Sequence, residues 1–468
     1  MTRTQLDSFL LFLLGCVLFV GLGVGMERIS QVSMLDFKEL YYGGRCFLQH
    51  CDPYREADLL QVYRSAGADR PSDTAGLREV VTLYINLPTF LVLTTPFAML
   101  PRGPAHLTWM ILTAACFILA AYLMWSCGAD AAPAISGALV CVFLYGAELL
   151  LEVGNGAGIA VGLCVIAVWC FLRERFVWAG TLCFALSLLM KPHVTGPILL
   201  YFLLTSGENR KRALRTIAIA SVLGLFAVLW VSHVLPHWNS ELHANLQIFS
   251  AHGGLGDAGP AGLEPRAHGA TTISLQTVFS LVRDSPGFYN PASYLVCAPL
   301  LLIWAVTVFR RRFSLQSAWL ALAAVAALSM LPLYHRQHDT RLLLLTIPAL
   351  AVLWAEGGLT ARLALLLTAA CAVLTANLTI QFLADIAYHL MLSTRGVSGQ
   401  LLNLALVRPA PLILLVTGTF YLWAYVRYSR GAEAIAVIGY DRRKVPARGA
   451  PYPPEESMGW STGSGLRW

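Results

Sequence analysis

FLLFLLGCVLFVGLGVGM, from Phe9 to Met26, contains no charged side chain and is followed at once by Glu27 and Arg28. A helix needs about 20 apolar residues to cross a hydrocarbon core about 30 Å thick, and this run with its flanks reaches that length. Its short flank bearing Arg3 and the lack of a small-residue cleavage site after it point to a retained helix rather than a removed signal. Similar runs recur as far as Val426, and across the 468 residues 57% are hydrophobic and 13% charged. A soluble domain carries about a quarter charged residues. The composition therefore predicts an all-α, polytopic integral membrane protein, because lipid offers no water to satisfy open backbone groups.

The formal charge of +7 does not point to nucleic acid, since the basic residues sit in short clusters between apolar runs. Arg173/Arg175, Arg210/Lys211/Arg212, Arg310/Arg311/Arg312, Arg362 and Arg427/Arg430 can all be placed on one side, which the positive-inside rule makes cytoplasmic. This predicts about 12 spans in one membrane domain over residues 1–430, with both termini cytoplasmic. Loops 27–79 and 236–290 are then external, and Val80–Leu100 is a span returning to the turn at Pro101. Between 131 and 173 the same rule calls for one full span plus a short hairpin dipping in from outside. The Pro- and Gly-rich end, 431–468, reads as a disordered cytoplasmic tail.

With that topology the polar residues at external helix ends converge. Asp36 opens LDFKELYY, Asn155 interrupts two apolar runs in EVGNG, and Lys191 and His193 flank Pro192. Tyr334-His335-Arg336-Gln337-His338-Asp339 fills one short connection. Asp36 suits a general base for an attacking hydroxyl; the competing role is an acid at the start of a surface helix. Lys191 suits a phosphate partner, with snorkelling to the headgroups as its competitor. The Tyr334–Asp339 run is either a solvated turn or a set of phosphate-binding donors. His335 and His338 lack a third ligand at zinc spacing, and no dense carboxylate cluster is present, so metal independence is favoured without excluding a divalent ion. No other cofactor is expected. Cys46 and Cys51 share the first polar loop and could form a disulfide if that loop is extracytoplasmic; two free thiols are the alternative.

DFKELYYGGR (Asp36–Arg45), DPY (Asp52–Tyr54), YINLPTFLVLTTPFAMLP (Tyr84–Pro101), EVGNG (Glu152–Gly156), AGTLCFALSLLMKP (Ala179–Pro192) and LPLYHRQHD (Leu331–Asp339), in that order, resemble glycosyltransferase family 87 of the GT-C superfamily. The resemblance implies a GT-C-like bundle in the plasma membrane with its active site on the extracytoplasmic side. It implies transfer of a hexose, such as mannose, from a polyprenyl-phosphate donor to a lipid-linked or cell-envelope glycan, with inversion. Asp36 matches the catalytic acid, and Lys191, His335 and Arg336 match groups facing the donor phosphate. His193, Tyr334, His338 and Asn155 are further candidates for substrate binding. Membrane lipids are the remaining partner. Two other classes compete: a transporter or flippase of lipid-linked sugars, which should carry acids near the bilayer midplane, and an O-antigen-type polymerase or ligase.

Overall fold

Thr2 and Gln5 close a capping box at the first helix: Gln5 N donates to Thr2 Oγ1 at 3.3 Å and Thr2 N to Gln5 Oε1 at 3.0 Å. The box satisfies two of the amides that a helix start leaves open. The computed structural model describes residues 2–30, 33–66, 75–259, 272–389, 399, 402 and 404–442. Helix α1 is Arg3–Ile29, followed by α2 (Leu35–Leu48), α3 (Glu56–Ser65), α4 (Ala75–Thr82), α5 (Pro88–Ala98) and α6 (Arg102–Ala129). Next come α7 (Pro133–Tyr145), α8 (Leu149–Glu152), α9 (Ala157–Leu172), α10 (Val177–Met190), α11 (Pro192–Leu204), α12 (Glu208–Val234) and α13 (Trp238–Ser250). After α14 (Gln276–Phe279), α15 (Pro286–Arg310) and α16 (Leu315–Leu328), a 3-10 helix at Gln337–Leu345 leads into α17 (Thr346–Glu356). The last described elements are α18 (Gly358–Leu374), α19 (Asn377–His389) and α20 (Pro409–Arg442). The chain is an all-α polytopic membrane protein.

Small residues let the first helices meet closely. A Cβ on Gly15 would come within 2.8 Å of the Cys141 backbone, and one on Gly137 within 2.7 Å of the Ser8 carbonyl. Such contact replaces the hydrophobic drive that lipid cannot supply. Ser8 Oγ donates to Pro133 O at 2.5 Å and accepts from Trp125 Nε1 at 2.8 Å, so the end of α6 and the start of α7 lie beside the start of α1. The other end of α6 lies by α2: Trp109 Nε1 donates to Gly154 O at 2.8 Å, and the Arg102 guanidinium is 6.0 Å from the Tyr42 ring.

This arrangement corrects the expected path of the chain. Val80–Leu100 is not one span, because α5 begins only at Pro88, covers 11 residues and packs against α2. At about 1.5 Å per residue it reaches roughly half the depth of a hydrocarbon core. The turn at Pro101 consequently shares the end of the molecule that holds α2, and α6 departs from there. Between 131 and 173 the chain forms Pro133–Glu152, which is long and apolar enough to cross, and the shorter apolar helix α9.

Among the described residues seven helices are long and apolar enough to span, or eight with the pair α18 and α19, which bends by 70°. The expectation of about 12 counted short apolar helices such as α9, α10, α11 and α16, which fall below a full span in length. From Ser317 to Leu328 every residue of α16 is buried, as is every residue of the 3-10 helix, so these form the centre of the bundle. Helix α12 by contrast exposes Val222, Leu225, Phe226 and Leu229, an apolar face that fits lipid. Helix α20 continues to Arg442, past the expected start of the tail at 431; residues 443–468 lie outside the described residues.

Candidate active site

The start of α2 is fastened to the junction between α8 and α9. Met34 N donates to Glu152 O at 2.7 Å and Asp36 N to Val153 O at 2.9 Å. Gly154 takes φ +67°, a conformation that suits glycine, and a Cβ there would strike Phe37 at 2.8 Å. The turn brings Asn155 round so that its Oδ1 accepts from Ala157 N at 2.8 Å, as asparagine does at turns, while its Nδ2 donates to Asp36 Oδ2 at 2.6 Å. The EVGNG segment is thus the mount for the acid of α2.

A second part of the site is the break between α10 and α11. A residue before proline is steered out of the helical region, and Lys191 sits at φ −140°, ψ 78°, with Pro192 starting the next helix. Its ammonium turns inward rather than to the headgroups, 3.2 Å from Asp339 Oδ1 and 3.4 Å from His338 Nε2. Asp339, 2% exposed, is the hub of this wall. Its Oδ2 lies 3.1 Å from His335 Nδ1 and accepts from Arg336 N at 3.3 Å. An antiparallel bridge between Thr272 and Arg336, with Ile273 N donating to His335 O at 3.0 Å, holds the run in extended form before the 3-10 helix begins. Arg336 Nε donates to Tyr334 OH. The neighbouring tyrosine oxygen is the largest influence holding the guanidinium above its usual range, so it stays charged, while burial pushes the Tyr334 phenol up.

These walls enclose one cavity of about 360 Å³, lined by Asp36, Asn155, Lys191, His193, Tyr334, Arg336, His338 and Asp339. Phe249 of α13 also lines it, with its ring 5.4 Å from that of Tyr334. Seven of the eight residues that the sequence nominated for base and substrate-binding roles therefore meet in one hollow. His335 does not line it; it is 1% exposed and stands behind His193, ring to ring at 5.0 Å, where it steadies Asp339. Asp339, Glu39 and Asn86 line the cavity without having been nominated. Asp339 lay within the quoted run, whereas nothing local in the sequence singles out the other two.

Glu39 follows Asp36 by three residues, so both face the same side of α2. Asn86 Nδ2 donates to Glu39 Oε1 at 2.7 Å. Burial first, and the Asp36 carboxylate second, hold Glu39 well above the usual carboxylate range. His193, His335 and Asp339 each bring one potential metal-ligand atom to within 4.8 Å of the others. The carboxylate of that trio is already engaged by Lys191 and His335, which supply its counter-charge and hydrogen bond. The sulfurs of Cys46 and Cys51 are bonded at the end of α2, with Cα atoms 5.0 Å apart.

The family model for glycosyltransferase family 87 matches residues 84–344, more than half of the chain. The chain belongs to glycosyltransferase family 87. It is accordingly a membrane glycosyltransferase. The match covers EVGNG, Lys191-Pro192 and the Tyr334–Asp339 run, while α2 with Asp36 precedes it. Comparison with the curated proteins and with the solved structures gave no match.

Proposed function

We propose that this enzyme transfers a hexose from a polyprenyl-phosphate donor to a hydroxyl of a lipid-linked or cell-envelope glycan, on the extracytoplasmic side of the plasma membrane and with inversion. The observation that carries this reading is that Asp36, Lys191 and Arg336, far apart in sequence, line one cavity. Asp36 takes the proton of the acceptor hydroxyl as its oxygen bonds to the sugar's anomeric carbon. The bond from that carbon to the phosphate oxygen breaks, and its electron pair leaves on the polyprenyl phosphate. Cations within reach of that oxygen favour the charge it gains. Arg336 has its charge available on the wall, and Lys191 can turn from Asp339 toward a bound phosphate.

Two observations support the outward side. The arginine clusters at Arg173/Arg175 and Arg310/Arg311 follow α9 and α15 at the ends away from Asp36, as the positive-inside rule requires. The linked Cys46 and Cys51 suit an oxidising compartment. The transporter reading is disfavoured because the cavity's acids lie beside helix ends, with Lys191 and Arg336 lining the same hollow. The experiment is to incubate membranes containing the enzyme with a panel of radiolabelled polyprenyl-phosphate sugars. Transfer of one label to a glycan product by the wild type and its loss in Asp36→Asn are expected; undiminished transfer by a folded Asp36→Asn enzyme would overturn the assignment of the base.

A further inference from the structure

The cavity has a second polar wall whose chemistry differs from that of the cationic one. Glu39 and Asn86 line it, with Leu83 and Phe90 beside them. The Glu39 carboxyl is gripped by two amide donors, Asn86 Nδ2 at 2.7 Å and the backbone N–H of Ile85. Asn86 is itself pinned, because its carbonyl accepts from Tyr54 OH at 3.0 Å. Burial holds the Glu39 carboxyl above the usual carboxylate range. A carboxyl beside an amide offers little to an anion and much to hydroxyl groups, which both donate and accept. Leu83 and Phe90 add an apolar surface of the kind that meets the C–H face of a sugar ring.

We propose that Glu39 and Asn86 form a hydroxyl-reading subsite that holds the acceptor hexose, one helical turn from the base. This rests on the reading of Asp36 as base for the acceptor hydroxyl. Residues three apart on a helix have Cβ atoms about 5–6 Å apart, comparable to the width of one pyranose ring. A hexose with one hydroxyl at Asp36 therefore places another at Glu39. Lys191 and Arg336 line the same cavity, where they serve the donor phosphate, while Glu39 and Asn86 serve the acceptor hydroxyls.

The test is equilibrium binding of tritiated octyl α-mannoside, octyl β-glucoside and octyl β-galactoside to the full-length enzyme in lipid nanodiscs, with empty discs subtracted. The wild type is expected to bind at least one of them. Glu39→Gln and Asn86→Ala, each checked for a cooperative melt, are expected to lose tenfold or more in that affinity. No hexoside bound by the wild type, or unchanged affinity in both folded variants, would overturn the subsite. Asp36→Asn separates the two readings. If it transfers sugar normally while Glu39→Gln has lost hexoside binding, the base falls and the subsite stands; if it loses transfer while Glu39→Gln and Asn86→Ala bind normally, the base stands and the subsite falls.

Discussion

Asn155 Nδ2 donates to Asp36 Oδ2 at 2.6 Å while Asn155 Oδ1 accepts from Ala157 N at 2.8 Å, so the amide that holds the acid is itself held by the backbone of α9. With Oδ2 engaged, Oδ1 is the oxygen that would take the acceptor proton in the proposed reaction. A positioned general base contributes about 10²–10⁴-fold to rate. Asp36→Asn is expected to lower turnover by that order, and Asn155→Ala by roughly tenfold through misorientation of the base. Rates of label transfer in reconstituted membranes check both. Normal turnover in folded Asn155→Ala would show that the hydrogen bond has no part in positioning Asp36.

Lys191 and Asp339 form an ion pair at 3.2 Å with side chains 13% and 3% exposed. Removing one partner of a buried pair strands the other charge, at a cost of about 3–5 kcal/mol. Lys191→Met and Asp339→Leu should each lower the melting temperature, and the double variant should recover part of the loss, because no charge is then stranded. Donor KM should rise in Lys191→Met and stay high in the double variant. Strictly additive losses in the melt would mean that the pair is not coupled, and an unchanged donor KM would remove Lys191 from phosphate binding.

Much of this architecture was legible because local chemistry enforced it. Lys191-Pro192 had to break a helix, and the Gly-Asn-Gly at 154–156 had to turn, so their positions at helix ends followed from residue types. The path of the chain around Val80–Leu100 was not legible from hydropathy. That stretch is apolar enough to span, but Pro88 delays the helix and contacts with α2 keep it at one end of the molecule. Charge clusters suggest a side, but they do not count the passes between them. Glu39 was hidden for a different reason: its role depends on Asn86, 47 residues away, and on burial that only the folded chain provides.

The bond between Cys46 and Cys51 fastens the end of α2 to the chain that leads into α3. Mass spectrometry of the unreduced protein should find the two peptides joined, and reduction should free them. Because the closed loop is short, the entropy removed from the unfolded chain is small, and a Cys46→Ser/Cys51→Ser enzyme should retain its fold with a modestly lower melting temperature. Two free thiols in protein purified from oxidising conditions would also withdraw the support that this bond lends to an extracytoplasmic cavity.

The Glu39 carboxyl should leave a signature in the pH dependence of stability. Its pKa in the folded enzyme lies well above the ordinary 4.5, with burial the main cause and Asp36 next, opposed by Ile85 N–H, Arg336 and Asn86. Below pH 4.5 the carboxyl is protonated in both folded and unfolded chains and contributes no penalty. As pH rises toward the folded value the unfolded chain loses its proton first, so the wild type is progressively destabilised by this group across that window. Glu39→Gln carries a neutral side chain of the same shape and escapes the effect. Melting curves should therefore show the variant gaining on the wild type as pH rises above 4.5 and matching it at the acid end. A difference that is constant with pH, or that grows toward acid, would mean that Glu39 is an ordinary ionised carboxylate and that the wall it belongs to carries charge.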